Sequence, residues 1–287
     1  MQKETKDALS RLGFGIAVMF GLYWIFSIFI QPILQVQEIV ITIITHVILY
    51  GVGLLLFLLI IRPKREAASL QKHKLSAGHF MLCFILQFTA TMILTGLGVV
   101  SALFTDLEPV DMNALDPVML FLLLIFNPIV EEFVFRKLFA DVLRPHGDRL
   151  FIFVSAFCFS IVHGVALGLP QVAYTFILGL IWAYVYVKTN NIWCAILLHA
   201  LSNLFGSVIL QLLNSTGFVL LTAVYMLLTV AAGITGIVLF LTKKKRIDIE
   251  GSHKLIAFGD VKSLITSPGM IFYILLTIAA IVIKSIK

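Results

Sequence analysis

The sequence predicts an all-α polytopic membrane protein of about eight transmembrane helices, with a short ninth candidate near the C-terminus. Of its 287 residues, 60% are hydrophobic and only 13% are charged, and the mean hydropathy is +1.06. A soluble domain does not carry so much apolar sequence. We therefore expect a single membrane domain over residues 1–287, with any polar site enclosed in the helix bundle.

The apolar runs place the spans in order along the chain. Each run is long enough to cross a bilayer, with some tolerance for tilted or buried helices. The ninth candidate, Met270–Ile283, is short, and it either begins earlier, near Leu264, or lies in the membrane interface. The eight firm predictions are Leu12–Ile30, Ile39–Ile61, Phe80–Phe104, Val118–Phe135, Leu150–Leu169, Val172–Val187, Ile192–Leu213 and Phe218–Leu241.

The positions of the basic residues predict how the spans are oriented. If the N-terminus is cytoplasmic, 19 of the 21 Lys and Arg residues fall in cytoplasmic segments, including the long loops Arg62–Ala77 and Lys243–Lys262. The outer loop Thr105–Pro117 carries four acidic residues and no basic one. Because cytoplasmic loops are enriched in Lys and Arg, we expect a cytoplasmic N-terminus. This distribution also explains the net charge of +6 without a nucleic-acid partner.

Cysteines confined to apolar runs, together with short loops, favour a multi-pass protein of a bacterial plasma membrane. All three cysteines lie in apolar runs without metal-type spacing, which indicates packing residues and not disulfides or ligands. The first apolar run reaches Gln31-Pro32 without a small-residue cleavage site. An uncleaved first span is therefore favoured over a removed signal peptide.

Two adjacent glutamates and an arginine lie at the end of the fourth apolar run. An ionisable side chain at membrane depth costs roughly 2.5–3.5 kcal/mol on insertion scales, so it usually marks a functional site. Glu132 and Arg136 are four residues apart in the favoured acid-before-base order, and we expect them to form an ion pair. Neighbouring helix positions differ by about 100°, so Glu131 faces elsewhere and is free for chemistry. The alternative is a boundary helix whose charges lie at the headgroups.

Five further polar residues interrupt the apolar runs. His199 and Asn203 lie on one helical face because they are four residues apart, and Phe159 lies beside His163 for the same reason. Buried polar groups in a bundle need partners. His46 has no partner at helical spacing and is interpreted as a hydrogen-bonded core histidine. The five are His46, Gln87, His163, His199 and Asn203.

Glu131, His163 and His199 come from three separate helices, as a site assembled inside a bundle requires. One carboxylate and two imidazoles suit a catalytic Zn²⁺ site with one position left for water. They suit a metal-free site equally well, with the carboxylate as the general base. At about 1.5 Å per residue, Glu131 and His199 lie near the cytoplasmic ends of their predicted spans. His163 lies roughly 20 Å from the start of its span and is too deep to join them unless its helix is tilted or starts later.

Three motifs in order along the chain resemble the CAAX-protease and bacteriocin-processing family. These intramembrane endopeptidases include the Rce-type prenyl-protein proteases and the Abi proteins. The resemblance covers about residues 118–206, and each motif is weak alone. The motifs are Glu131-Glu132-x-x-x-Arg136, Phe159-x-x-x-His163 and His199-x-x-x-Asn203, with Phe176–Leu180 and the turn Lys188–Trp193 in agreement.

The resemblance implies an endopeptidase acting near the cytoplasmic membrane face, on a peptide precursor or a CAAX-type protein. Glu131 with His163 would activate water, and His199 with Asn203 would stabilise the oxyanion. Phe159, Glu132 and Arg136 would support the site or contact the substrate. Zn²⁺ and a metal-free glutamate mechanism both remain open. Glu131, His163 and His199 would be the ligands of the metal.

Two other classes of function are weighed against the peptidase. A non-catalytic membrane partner, such as a bacteriocin immunity protein or a signalling regulator, would keep the fold and not need Glu131. A transporter would use Glu131 and the histidines as a proton relay, but the sequence lacks inverted repeats and pairs of broken helices. The peptidase is the leading hypothesis.

Overall fold

A computed structural model describes residues 2–62, 75–104, 114–243 and 258–286 of the chain. Within these ranges the backbone forms helices and turns only. Nine of the helices in these ranges are long and apolar enough to cross a membrane. The predicted all-α polytopic class is therefore confirmed, and the ninth candidate is a helix of spanning length.

The helices are numbered here in chain order. Nine of them are candidate spans, and α9 is a short helix that precedes the last span. Their bounds are α1 Lys3–Ile33, α2 Glu38–Ile61, α3 Ala77–Phe104, α4 Pro117–His146, α5 Asp148–Leu167, α6 Leu169–Thr189, α7 Ile192–Ser215, α8 Val219–Lys243, α9 Phe258–Ile265 and α10 Pro268–Ile286.

The fourth span differs most from its predicted bounds. The prediction ended it at Phe135, but α4 continues to His146. The charge of Arg136 indicated a loop, whereas this side chain is fully buried and paired with Glu132. A hydropathy argument treats the charge as isolated, whereas attraction to Glu132 offsets part of the cost of burying it. α1 likewise begins about nine residues before the predicted Leu12.

Most of the predicted loop features lie outside the described residues. Much of the loop Arg62–Ala77, the acidic loop Thr105–Pro117 and the basic segment Lys243–Lys262 falls in the undescribed ranges. The cytoplasmic position of the N-terminus therefore stays a prediction.

The chain divides into two compact units, which are described separately. The first comprises Met1–Ala68, Leu138–Val154 and Ile256–Lys287, and the second comprises Ser69–Lys137 and Ser155–Leu255. The expected single domain over 1–287 stays a prediction. All of the site residues predicted from the sequence belong to the second unit.

In the first unit, α1 and α10 pack through glycines at which the two backbones touch. A Cβ atom at Gly13 would overlap the backbone of Gly269, and a Cβ atom at Gly269 would overlap the carbonyl oxygen of Ser10. The Ser10 hydroxyl also accepts a hydrogen bond from the Gly269 N–H at 3.1 Å. Small residues of this kind let membrane helices approach closely.

We expect Gly269→Ala to destabilise the protein by about 1–3 kcal/mol, the usual effect of an overpacked contact. The added methyl group meets backbone atoms, which cannot move aside as a flexible side chain can. Thermal unfolding in detergent would measure the loss. Gly259→Ala is the matched control, because a Cβ atom there has no heavy atom within 4 Å. Equal unfolding temperatures for the two variants would contradict this account of the packing.

In the second unit, a close approach of α5 and α6 brings two large rings together. A Cβ atom on Gly179 would lie 2.9 Å from the Cα of Ala156, so only glycine allows this separation. The rings of Phe159 and Trp182 meet between the two helices, with centroids 5.6 Å apart. Both rings are at most 1% exposed. They form the apolar wall against which the polar side chains of the site lie.

Candidate active site

The structure resolves the mismatch in depth that the sequence left for His163. Because α4 continues to His146 and α5 begins at Asp148, Glu131 and His163 are each fifteen residues, about 22 Å, from the helix ends that meet at Gly147. The predicted position of Glu131 near the end of its helix was therefore wrong. The two side chains lie at matching positions along successive helices.

Two predicted histidines, from two different helices, converge on one carboxylate oxygen of Glu131 on a third helix. The Nε2 atom of His163 lies 4.0 Å from Oε2 of Glu131, and Nε2 of His199 lies 3.8 Å from the same oxygen. The Glu131 side chain is 16% exposed, which leaves the carboxylate partly accessible. The sequence therefore identified a set of side chains that the fold brings together.

Hydrogen bonds determine the tautomers of both histidines. His163 Nδ1 lies 2.8 Å from the Phe159 carbonyl oxygen. A carbonyl oxygen can only accept, so Nδ1 carries the proton. His199 Nδ1 donates in the same way to Oε1 of Glu132 at 3.0 Å. In its neutral form each ring presents the lone pair of Nε2 towards Glu131, and in its protonated form it presents an N–H there.

The predicted ion pair between Glu132 and Arg136 is confirmed. Nε of Arg136 lies 2.9 Å from Oε2 of Glu132, and both side chains are fully buried. The N–H does not point along this contact, so the pair is electrostatic and not an aligned hydrogen bond. Nη1 of Arg136 contacts the Ser155 hydroxyl at 3.4 Å, while Nη2 has no hydrogen-bond partner among the described residues. The ion pair keeps Glu132 beside His199 and away from Glu131.

Phe159 fills the space between the histidines and the buried arginine. Its ring centroid is 4.5 Å from that of His163 and 5.9 Å from that of His199. The Arg136 guanidinium carbon lies 4.8 Å from the same ring centroid, a distance typical of a cation–π contact. The neighbour expected from the four-residue spacing is therefore in contact with His163, as predicted.

Trp182 is a part of the site that the sequence reasoning missed. Its indole stacks on the imidazole of His199, with centroids 4.1 Å apart and planes 17° apart. Its Nε1–H donates to Oε1 of Gln87 at 2.7 Å. Gln87 was singled out as a polar residue in a span, and an intramembrane polar group needs a partner. The need of Gln87 for a partner could therefore be predicted from the sequence, but not that the partner is Trp182.

Asn203, on α7, is hydrogen-bonded to the backbone of α4. Its Nδ2 atom donates to the carbonyl oxygen of Leu123 at 2.8 Å. The Asn127 N–H bonds to the carbonyl oxygen of Leu122, five residues earlier, as in a π-helix. In the same pattern, the N–H of residue 128 would bond to the carbonyl oxygen of Leu123. Pro128 has no N–H, so the amide of Asn203 satisfies the carbonyl that the proline leaves open. The predicted oxyanion role of Asn203 stays a prediction that would use the second N–H of its amide.

The three converging side chains are of the right chemical types for zinc but are spaced too widely. Bonds of about 2.0–2.2 Å place tetrahedral ligand atoms about 3.3–3.5 Å apart, whereas the two nitrogen–oxygen separations are 4.0 and 3.8 Å. Within the described residues, no group of three or more His, Cys, Asp or Glu side chains is arranged to hold a metal ion. Zn²⁺ bound by Glu131, His163 and His199 stays a prediction.

The same separations suit a water molecule between the groups. Both are too long for a direct hydrogen bond, which spans about 2.7–3.2 Å. A polar separation beyond 3.5 Å is the range in which a bridging water is expected. A water at this point could donate to the carboxylate and to one imidazole. The arrangement can therefore hold and deprotonate a water molecule.

Comparisons with known proteins confirm the resemblance predicted from the motifs. Residues 113–205 match the family described as "Type II CAAX prenyl endopeptidase Rce1-like". This range contains every site residue predicted from the sequence.

Two curated bacterial proteins match a similar part of the chain. The "Membrane-embedded CAAX protease MroQ" of Staphylococcus aureus (strain USA300) is 34% identical over 105 residues, which are 34% of this chain and 41% of that protein. The "Putative membrane peptidase YdiL" of Bacillus subtilis (strain 168) is 33% identical over 97 residues, which are 33% of this chain and 38% of that protein. The matches thus span about two fifths of each relative. No solved structure matches the chain significantly.

Proposed function

We propose that this chain is an intramembrane endopeptidase in which Glu131 is the general base that activates water. The observation that carries the proposal is the convergence of two imidazole Nε2 atoms on one partly accessible carboxylate oxygen, at 4.0 and 3.8 Å. A positioned base contributes typically 10²–10⁴-fold to a hydrolytic rate. The match to a protease family over the same residues supports the assignment.

The partners of the two Nδ1 atoms support different roles for the two histidines. Nδ1 of His199 donates to the carboxylate of Glu132, and a carboxylate at this position stabilises the imidazolium form of the ring. Nδ1 of His163 donates to the neutral Phe159 carbonyl, which stabilises a cation less. His163 therefore serves as a neutral acceptor for the water, and His199, protonated on both ring nitrogens, serves as the donor to the oxyanion.

The proposed reaction follows from these roles. Glu131 takes a proton from water while the water oxygen bonds to the carbonyl carbon, and the electrons of the C=O double bond move to the oxygen. His199, with the second amide N–H of Asn203, stabilises that oxyanion. When the intermediate collapses, the carbon–nitrogen bond breaks and the proton held by Glu131 passes to the leaving amine. Glu132, Arg136 and Phe159 position His199 and His163.

The substrate would be a peptide or protein segment held at the membrane. MroQ is named a CAAX protease, which supports a CAAX-type or peptide-precursor substrate. The nine candidate spans among the described residues support a position in the lipid bilayer. With the cytoplasmic N-terminus inferred from the basic residues, the plasma membrane of a bacterium is the proposed location.

His163→Gln is expected to lower the rate of product formation about 10²-fold, because the water loses its second acceptor. The measurement compares peptide products by mass spectrometry in membranes that carry either protein at matched expression. His46→Gln is the matched control, since Nδ1 of His46 makes the same bond to a carbonyl four residues earlier, that of Thr42, at 2.7 Å. We expect this variant to keep the wild-type products.

The same comparison is repeated with a zinc chelator, and the cellular phenotype of the wild type is recorded alongside it. Loss of products on chelation, with recovery on added Zn²⁺, would assign a metal to the three converging side chains. Products that survive chelation would support the metal-free base. If His163→Gln keeps every product, or if the wild type forms none while its cellular phenotype persists, the peptidase proposal is wrong. The non-catalytic membrane partner would then be favoured.

A further inference from the structure

Gln87 is a buried polar residue of α3 that lies outside the family-matched segment. Its side chain is 3% exposed. Oε1 accepts the Trp182 N–H at 2.7 Å, but Nε2 has no hydrogen-bond partner among the described residues. An unsatisfied buried polar group lowers the stability of a protein. Packing alone would favour leucine at this position. The function of the amide is therefore to accept the hydrogen bond from Trp182.

The indole of Trp182, which Oε1 of Gln87 holds by this hydrogen bond, determines the plane of the His199 ring. The hydrogen bond from Nδ1 to Glu132 fixes one atom of the imidazole, and the ring can still tilt about that bond. The stacked Trp182 ring, 4.1 Å away and inclined by 17°, removes this freedom. Trp182 is itself 1% exposed, and its N–H bond to Gln87 opposes rotation of the indole in its plane.

We propose that Gln87 is a positioning residue that directs Nε2 of His199 through Trp182. The inference rests on the proposed function for its effect on turnover, although the ring orientation it describes is measurable without any activity. The contacts run from α3 through α6 to α7. A catalytic group displaced by 1 Å can lose about 10²-fold in rate, so a tilt of this ring should have a measurable effect.

The test separates positioning from a simple link between helices. Gln87→Leu leaves the Trp182 N–H unsatisfied, and Trp182→Phe leaves Oε1 of Gln87 unsatisfied, so each single variant should be less stable. The double variant removes both polar partners, which is nearly neutral for stability. We expect about tenfold lower kcat in both single variants and in the double variant, with little change in KM. The probe is a peptide whose cleavage in the mass-spectrometric comparison requires Glu131.

A control on the same helix tests the alternative of a merely structural link. The Thr89 hydroxyl donates to the Gly233 carbonyl oxygen at 3.0 Å and so also joins α3 to another helix. Thr89→Val should lower stability and leave kcat unchanged. If kcat of the double variant returns to the wild-type value together with its stability, Gln87 is only a structural link and the proposal is overturned.

Nuclear magnetic resonance of the full-length protein in detergent gives a second readout that needs no substrate. The ring signals of His199, assigned by their loss in His199→Gln, should shift in Gln87→Leu and stay in place in Thr89→Val. Unshifted His199 signals in Gln87→Leu would refute the proposal. If Glu131→Gln leaves all products in place, the proposed function fails, and these signals still decide the role of Gln87.

Discussion

Glu131→Gln is expected to reduce peptide cleavage by about 10³-fold, within the range of 10²–10⁴-fold attributed to a positioned general base. The amide has the size of the carboxylate but cannot take a proton from water. Arg136 is held in the ion pair by Glu132, at 2.9 Å. The substitution should therefore leave the buried pair and the fold intact. Mass spectrometry of membranes at matched expression would measure the products.

The control for this prediction is a glutamate that the site does not use. Glu38 is exposed at the start of α2, and Glu38→Gln should keep the full set of products. Thermal unfolding of Glu131→Gln in detergent should match the wild type, which separates loss of chemistry from loss of structure. Wild-type cleavage by a folded Glu131→Gln protein would exclude Glu131 as the base.

The polar part of the site was largely predictable because it follows helical spacing. Glu132 and Arg136 are one turn apart, so their pairing and the separate direction of Glu131 follow from the helix alone. The same rule placed Phe159 beside His163. Local geometry of this kind does not depend on how the helices are arranged.

The depth of the site could not be predicted, because hydropathy counts a charge without its partner. Arg136 marked the expected end of the fourth span, yet Glu132 and the rings of Phe159 and Trp182 surround it inside the protein. The true end of α4, at His146, brings Glu131 level with His163. Because the ion pair is buried, α4 is about ten residues longer than the sequence predicted.

Contacts between helices were the other part that the sequence could not reveal. Trp182 and Gln87 are 95 positions apart, and no spacing rule joins them. Asn203 donates a hydrogen bond to the carbonyl oxygen of Leu123, 80 positions away, and the sequence indicates only one of these two partners. Pro128 removes a backbone donor within α4, so some open carbonyl near Leu123 could be anticipated, but the residue that satisfies it could not.

Arg136→Met is expected to give the largest loss of stability, about 3–5 kcal/mol, because it leaves the carboxylate of Glu132 buried without its cation. Both side chains of the pair are fully buried, so water cannot compensate. Unfolding in detergent would measure the loss. Arg144→Met is the matched control. Arg144 and Asp148 have the same four-residue spacing but remain 13% and 23% exposed, and such a pair contributes about 0–1 kcal/mol.

The double variant Glu132→Gln/Arg136→Met separates the structural role of the pair from its role in the reaction. Removing both charges is often neutral for stability, so most of the lost stability should return. Turnover should stay low, because Nδ1 of His199 then donates to a neutral amide, which stabilises an imidazolium less than a carboxylate does. If turnover recovers together with stability, Glu132 only balances the charge of Arg136. If stability does not recover, the loss in Arg136→Met comes from its packing against Phe159 and Trp182 and not from the unpaired carboxylate.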